Sequence, residues 1–469
     1  MENNKIPFHE VDFLLPVHRF NIAFSYVSKR GLPFIREFVL RLVHLSPMKP
    51  EFIARYLDLS VRELKEVLRE LIDKDELMFL DDGSVGLTPL AKGYFSFEGE
   101  SPQVSSIQQT DTTFSFELAG FNCIGNKRTN DNWQAGITVP VSSENKGLSD
   151  KYANKGFQAQ FYRLIEDGYM SHIVSEESDS LPSIYKMDSV TRIGQEPKRI
   201  PHTFYFDDLG RVVEREELEN FANDEPVFDA ITEAISELDQ NNNLADIAQA
   251  MAAIGDNLTG EYITDSGIDI SNLIDVIKHS REHGKIIQPM LGPIYLDENW
   301  QHIAVEAKKA FKQLGSQHQD GVKELIWLAP SDSFWGKSEK YISVKSWLED
   351  NAITKGKKPK RLFTPKFYFP IARENDRRSI NDWKNQLGNI DECYKYIEGF
   401  FNGTTEVLLL QDSFAVVCYH LSIPSISNIS IPLAFSTTDK KLVGVIETLV
   451  KEYLNGTVGF DNPIDLGNL

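Results

Sequence analysis

Apolar residues recur at helical spacing near the start of the chain. Phe34, Phe38, Leu42 and Leu45 form one run after Pro33, and Phe52, Ile53, Tyr56 and Leu57 form a shorter one after Pro50. Ser60, with Glu63 three residues later, reads as a capping box. It opens a third helix that turns Val61, Leu64, Val67, Leu68, Leu71 and Ile72 inward. The period then changes. Residues 77–80, the Asp81-Asp82-Gly83 turn and residues 85–87 predict a hairpin. Residues 98–113 are rich in Ser, Gln and Thr and read as a linker. Short β-like runs follow at 114–118, 136–141 and 202–206, in a mixed, mostly β region. Helical spacing returns at Phe228, Ile231, Ile235 and Leu238, then at Leu244, Ile247 and Met251. From about residue 285, strands at 325–329, 361–363, 407–410, 414–419 and 431–435 alternate with helices at 300–314, 344–348 and 442–454. That alternation favours a layered α/β sheet.

The length of 469 residues is about three times the ~150 residues of a common domain, so two to four domains are expected. The pattern divides them as 1–97, 98–225, 226–284 and 285–469, a multidomain chain of α+β and α/β parts. Hydrophobic residues at 41% and charged residues at 25% exclude a fully disordered chain. The net charge of -20 rules out a polybasic, histone-like protein but leaves room for a local basic site. Eighteen acidic residues face two basic ones between Asp207 and Asp275. That run is a solvated helix face, a surface that shuns nucleic acid, or a dock for a basic partner. Cys123, Cys393 and Cys418 are scattered without a CxxC, which argues against a disulfide scaffold or a zinc ribbon. His9, Glu10 and Asp12 stand where a signal peptide needs apolar residues, and no run of about 18 apolar residues exists. No membrane partner and a cytoplasmic location are expected.

The helix–helix–turn–helix–hairpin order over residues 33–95 resembles a winged helix-turn-helix. In that family the third helix enters the major groove of duplex DNA. Arg62, Lys65 and Arg69, three and four apart, share one outward face of it, where long cations reach phosphates and guanine edges. From Lys29 to Arg69 nine basic residues stand against five acidic ones. Glu63, Glu66 and Glu70 sit among the cations, as on a salt-bridged solvated face. Asp81 and Asp82 in the hairpin turn oppose a phosphate contact by the wing.

Residues 404–421, with their strand–acidic turn–strand frame, resemble the motif hairpin of the phospholipase D superfamily, and the likeness extends over about 285–455. The resemblance implies a phosphodiesterase fold, but the catalytic side chains differ. Thr404 stands in place of the nucleophilic histidine, Glu406 in place of the lysine, and Gln411 in place of the aspartate, with Asp412 beside it. Threonine and glutamate supply neither an activated nucleophile nor a cation for the phosphate. The other His-x-Lys, His283-Gly284-Lys285, lacks the following aspartate. A degenerate, non-catalytic domain is expected, with His420 on the second strand as a further candidate. The alternative is a buried hairpin of an unrelated α/β sheet.

Residues 355–384 hold ten basic residues against three acidic ones. Lys357, Lys358, Lys360, Arg361, Arg377 and Arg378 are the candidate nucleic-acid contacts, with Phe367, Tyr368, Phe369 and Trp383 interleaved as for stacked bases. Gly336-Lys337-Ser338 ends like a phosphate loop, but Ser331 replaces the first glycine. No metal-ligand spacing and no cofactor motif is found. The expected protein is a non-catalytic DNA-binding accessory protein, with duplex or single-stranded DNA and other proteins as partners and possible self-association. By analogy it suits a prokaryotic DNA-transaction or phage-defence complex. The alternatives are a nuclease or phosphodiesterase with a non-standard site, which a pocket with a histidine and convergent cations would favour, and a ligand-sensing transcription regulator.

Overall fold

A computed structural model describes residues 5–95, 102–174, 181–213, 224–238, 240–264, 267–283, 287–316, 322–355, 359–456 and 464–469. The chain is a mixed α and β protein built around two large sheets. It opens on one long strand, β1 (Ile6–Gly31). Three helices follow, α1 (Phe34–Leu45), α2 (Pro50–Leu57) and α3 (Val61–Asp73). A hairpin of β2 (Leu77–Phe79) and β3 (Val85–Leu87) comes next. The α3 capping box is formed: the Glu63 backbone N–H donates to Ser60 Oγ and the Ser60 N–H to Glu63 Oε2. Leu64, Leu68 and Leu71 turn inward on α3 as the spacing predicts, while Val61 is exposed.

The apolar face of α1 is not the one expected. Val39, Leu40 and Val43 are buried, whereas Phe34 is 71% exposed and Leu45 faces solvent. The Phe34 and Phe38 rings pack against each other at an interplanar angle of 43°, with centroids 4.5 Å apart. On α2 only Ile53 is buried, and Tyr56 is 74% exposed.

The stretch expected as a linker is largely strand. β4 (Gln103–Glu117) runs antiparallel to β1, from Val17 opposite Glu117 to Gly31 opposite Gln103. The three helices and the hairpin therefore sit at the closed end of a two-stranded ribbon. After α4 (Ser149–Glu166), β5 (Ser183–Phe206) pairs with the other edge of β1 along its length, from Ile6 opposite Phe206 to Val27 opposite Ser183. Residues 6–31, assigned by pattern to a first unit ending at 97, are thus the central strand of a sheet completed by residues 103–206. Along the distal half of β1, Phe20, Ile22 and Phe24 alternate inward against Phe114, Phe116 and the α4 residues Phe157 and Phe161. The first half is buried on both faces, and Phe8, Val11 and Phe13 join the core of the second sheet.

That second sheet follows α5 (Glu225–Ser236), α6 (Leu244–Ile254) and α7 (Ile270–His283). In chain order it comprises β6 (Ile287–Leu291), α8 (Asp297–Ser316), β7 (Lys323–Leu328), α9 (Glu339–Asn351), β8 (Phe363–Ile371) and α10 (Arg377–Leu387). It continues with β9 (Cys393–Ile397), β10 (Thr405–Leu410), β11 (Phe414–Leu421), β12 (Ile431–Thr437), α11 (Lys440–Asn455) and β13 (Asp465–Asn468). The eight strands lie in the order β6-β12-β11-β10-β7-β8-β9-β13. β7, β8 and β9 are parallel, with α9 and α10 between them in sequence, and β10 returns antiparallel to β7. Every residue of β10, β11 and β12 is buried, as a sheet covered on both faces requires.

Candidate functional site

At the carboxyl end of β7 the chain direction across the sheet reverses, since β8 lies on one side and the returning β10 on the other. Open α/β sheets form their ligand crevices at such points. Register brings four segments together there. Leu328 pairs with Val407, Thr405 with Tyr419, and Leu421 with Ile431, so residues 330–334, 404–406, 420–422 and 430 share one end of the sheet. Glu406 stands directly opposite Cys418, and Cys418 and His420 are two apart on β11, so all three side chains point to the same face.

His420 is the centre of this cluster and is buried. Its Nδ1 lies 2.8 Å from Asp332 Oδ2 and its Nε2 lies 3.0 Å from Glu406 Oε2. Carboxylates only accept, so both ring nitrogens donate and the ring is an imidazolium. Burial opposes that charge, but the Cys418 sulfur and the hydrogen bonds to Asp332 and Glu406 outweigh it, and the pKa is held well above the ordinary histidine value. The Cys418 thiol is itself pushed up to about 11, mainly by burial. It is therefore neutral at pH 7, and the two carboxylates carry the attraction. Asp332 is pulled below the usual carboxylate range: burial works against ionisation, and the His420 hydrogen bond and charge, with Ser430, overcome it.

The chain of contacts extends to β1. Ser430 Oγ donates to Asp332 Oδ2 at 2.7 Å, and His9 Nε2 lies 3.4 Å from Ser430 Oγ. His9 Nδ1 lies 3.2 Å from the Glu10 carbonyl, which only accepts, so a neutral His9 ring carries its proton there and turns Nε2 to Ser430 as an acceptor. Burial lowers the His9 pKa to about 4, so its ring is neutral at pH 7. At the other end Trp327 Nε1 donates to Glu406 Oε1 at 2.7 Å. Glu406 is fully buried.

A polar cavity of about 290 Å³ opens above the cluster, lined by residues 240–243, Asp246, 331–334, 402–404, His420, Ser422 and Ser430. Thr404, the counterpart of the nucleophile in the phospholipase D resemblance, is buried, and its hydroxyl donates to the Phe401 carbonyl at 2.8 Å. Glu406, Cys418 and His420 each offer a ligand atom within 4.8 Å of the others. Cysteine and histidine suit zinc. A metal there would have to take the proton of Cys418 and break the His420–Glu406 hydrogen bond, and that cluster holds three ligands where a structural zinc takes four. A larger cavity of about 620 Å³ lies between Phe204, Val212, Val213, Ile235, Pro424 and Ile429.

The structure places Arg62, Lys65 and Arg69 on the outer face of α3, with the arginine side chains 91% and 83% exposed. Arg62 lies 4.0 Å from Glu66 and Arg69 3.7 Å from Asp73, each one helical turn on. The expected basic strip is split. Lys360 and Arg361 precede β8, and Arg377 and Arg378 follow it in the first turn of α10, so nine strand residues, about 30 Å, separate the pairs. Arg361 is 3.7 Å from Glu392. Lys357 and Lys358 lie outside the described residues. Phe367, Tyr368 and Phe369 are core residues, and Trp383 Nε1 donates to the Pro370 carbonyl, so these aromatics do not form an open stacking platform. Sequence reasoning singled out Glu406 and His420 but missed Asp332, Ser430 and His9. Their only local signal is the Pro330-Ser331-Asp332 break that ends an apolar strand.

No family model matches the chain, and no curated protein matches it. Among solved structures, that of TrmBL2, an archaeal chromatin protein described with a novel mode of DNA binding, aligns over 90% of this chain and 92% of that one. The identity is 9% and the TM-score 0.17, a likeness too small to carry an argument. Among the described residues no helix is long and apolar enough to cross a membrane.

Proposed function

We propose that this chain is a DNA-binding protein that acts without catalysis, as an accessory subunit that presents a winged helix-turn-helix to duplex DNA. The observation that carries the reading is α3. It is the third helix of a three-helix-and-hairpin module, its outer face shows Arg62, Lys65 and Arg69 to solvent, and the module sits at the end of the β1–β4 ribbon where a duplex can approach it. Such a helix fits the major groove, and cations on its face reach the phosphates.

The cleft over His420 supports the non-catalytic part. Among the described residues that line it there is no Lys or Arg to stabilise a transferring phosphoryl group. His420 has both nitrogens committed to carboxylates, which leaves it no lone pair for nucleophilic attack.

A second reading comes from the same module. Phe34, Leu45, Phe52, Tyr56 and Phe79 are each exposed on it, and large apolar side chains of this kind are what a protein contact would bury. The test is an electrophoretic mobility shift of the full chain with duplex and single-stranded DNA at several salt concentrations. Duplex binding that weakens steeply with salt supports the proposal. No shift at low salt overturns it and leaves protein docking as the role of the module.

A further inference from the structure

We propose that the cleft at the carboxyl end of β7 binds a small, uncharged, hydroxyl-rich molecule of the size of a sugar or cyclitol. The proposal stands apart from the DNA-binding reading, because it rests on the second sheet alone.

Size comes first. A cavity of about 290 Å³ holds the volume of about ten waters in bulk liquid, which is room for one polar ring with its substituents. The wall chemistry then excludes the other ligand classes. An anion finds no Lys or Arg among the described lining residues, and it meets Asp246 and Asp332. The one cation, His420, spends both N–H groups inside the protein. An apolar ligand would strand amides and hydroxyls on nearly every wall. An amine gains little from Asp332, whose oxygens already accept from His420, Ser430 and the Phe334 N–H. What the cleft offers is amide and hydroxyl groups, from Asn241, Ser331, Ser333 and Ser422, with the remaining capacity of Gln240, whose Nε2 donates to the Asn428 carbonyl, and of Asn242, whose Oδ1 accepts the Leu244 N–H. These both donate and accept, as each ligand hydroxyl does. The buried Ser422 hydroxyl has no hydrogen-bond partner among the described residues.

The rim gives an independent sign. Phe401 and Asn402 both adopt left-handed backbone, at φ 46° and 54°, and neither is glycine. Such strain survives only where the surroundings enforce it, and it concentrates at ligand clamps. Here Asn402 Nδ2 donates to Asp246 Oδ1 at 2.8 Å, across the cleft mouth from α6. Gly403, at φ 77°, packs so closely on Ser331 that a Cβ would lie 2.7 Å from the Ser331 Cβ. The 399–404 loop is thus drawn tight against the end of β7, which fixes the cleft's width.

The experiment is calorimetric titration of the full chain with glucose and myo-inositol as neutral probes, and with inorganic phosphate and putrescine as charged ones. Saturable binding of at least one neutral probe is expected, with one site per chain. Ser333→Trp fills the cleft from its exposed rim. Asn402→Gly keeps the left-handed backbone and removes the amide. Each should weaken that binding by at least about tenfold, the worth of a hydrogen bond or more, with the melting temperature of the free protein unchanged. Response to phosphate or putrescine alone, no saturable binding of either neutral probe at millimolar concentration, or binding that survives both substitutions overturns the proposal.

Discussion

Arg199 on β5 reaches Asp12 on β1 through a buried ion pair of 2.6 Å. The same guanidinium donates to the carbonyls of Gln134 and Ala135, and Asp12 also accepts the Glu339 N–H that opens α9. One pair therefore fastens the root of β1 to its neighbouring strand, to the 132–135 loop and to the second sheet. Breaking such a pair leaves a buried charge without a partner. Arg199→Met should cost about 3–5 kcal/mol in urea unfolding, and the double change with Asp12→Leu should recover part of it. Equal loss in both variants would show that Arg199 acts through its carbonyl contacts alone.

The α3 cations predict a salt signature. Replacing Arg62, Lys65 and Arg69 by Ala should weaken duplex binding and make the dependence of affinity on salt shallower, because fewer counterions are released. All three side chains are exposed, so the melting temperature should stay within about 1 °C of the parent's. Unchanged affinity and slope would remove this helix from the DNA interface.

Charge reversal tests the split basic strip. Changing Lys357, Lys358, Lys360 and Arg361 to Glu should lower DNA affinity without unfolding the chain, since Lys360 and Arg361 are exposed. Reversing Arg377 and Arg378, a strand's length away, should have a separate and additive effect. A collapse of the melting temperature in the first variant would make those residues structural.

The histidines set a pH profile whose two sides have different owners. His9, neutral in the fold with a pKa of about 4, binds its proton more readily when unfolded. Stability therefore falls as pH drops from about 6.5 to about 4, by roughly 3 kcal/mol from this group. His18, also lowered to about 4, by burial first and then by Arg192 and Lys146, adds a loss of the same sign over the same pH window. His420 has the opposite sign. Its raised pKa gives stability that is fully present below about 6.5 and is lost as pH rises toward the folded value. Denaturant midpoints measured from pH 4 to 9 should peak near pH 6.5. His9→Gln should make the acid limb shallower, with the His18 part remaining, and leave the alkaline limb unchanged.

His420→Gln tests the centre of the cluster. It removes the charge between Asp332 and Glu406 and leaves two buried carboxylates close together. A loss of about 3–5 kcal/mol is expected at pH 7. That loss should shrink at lower pH, where protonation relieves the carboxylates. A pH-independent loss would mean that the imidazole is needed for its shape rather than its charge.

Local pattern made some elements readable and left others hidden. α3, the β2–β3 hairpin and the β10–β11 hairpin were legible because the residues that define them lie within a turn of one another, as Ser60 and Glu63 do. β1 was not. It contains Pro7 and Pro16 and carries His9, Glu10 and Asp12 where a strand core would be apolar, and its partners are far off in sequence: Val17 pairs with Glu117 and Glu196. Those polar residues are satisfied only by distant groups, Glu10 by Ser338 and Lys340 and Asp12 by Arg199. The same holds for the candidate site. Glu406 and His420 share a hairpin and could be paired by eye, whereas Asp332, Ser430 and His9 reach them from three separate parts of the chain.

β1 runs from His9, beside the cleft, to Gly31, beneath the three-helix module. At about 3.3 Å per residue that span is roughly 70 Å. A rod of this length, clamped at its root, turns angle into distance. One degree of tilt at His9 moves the far end by about 1 Å, and five degrees by about the spacing between phosphates along one strand of DNA. The stiffness of the root thus decides how steadily the tip can hold a position.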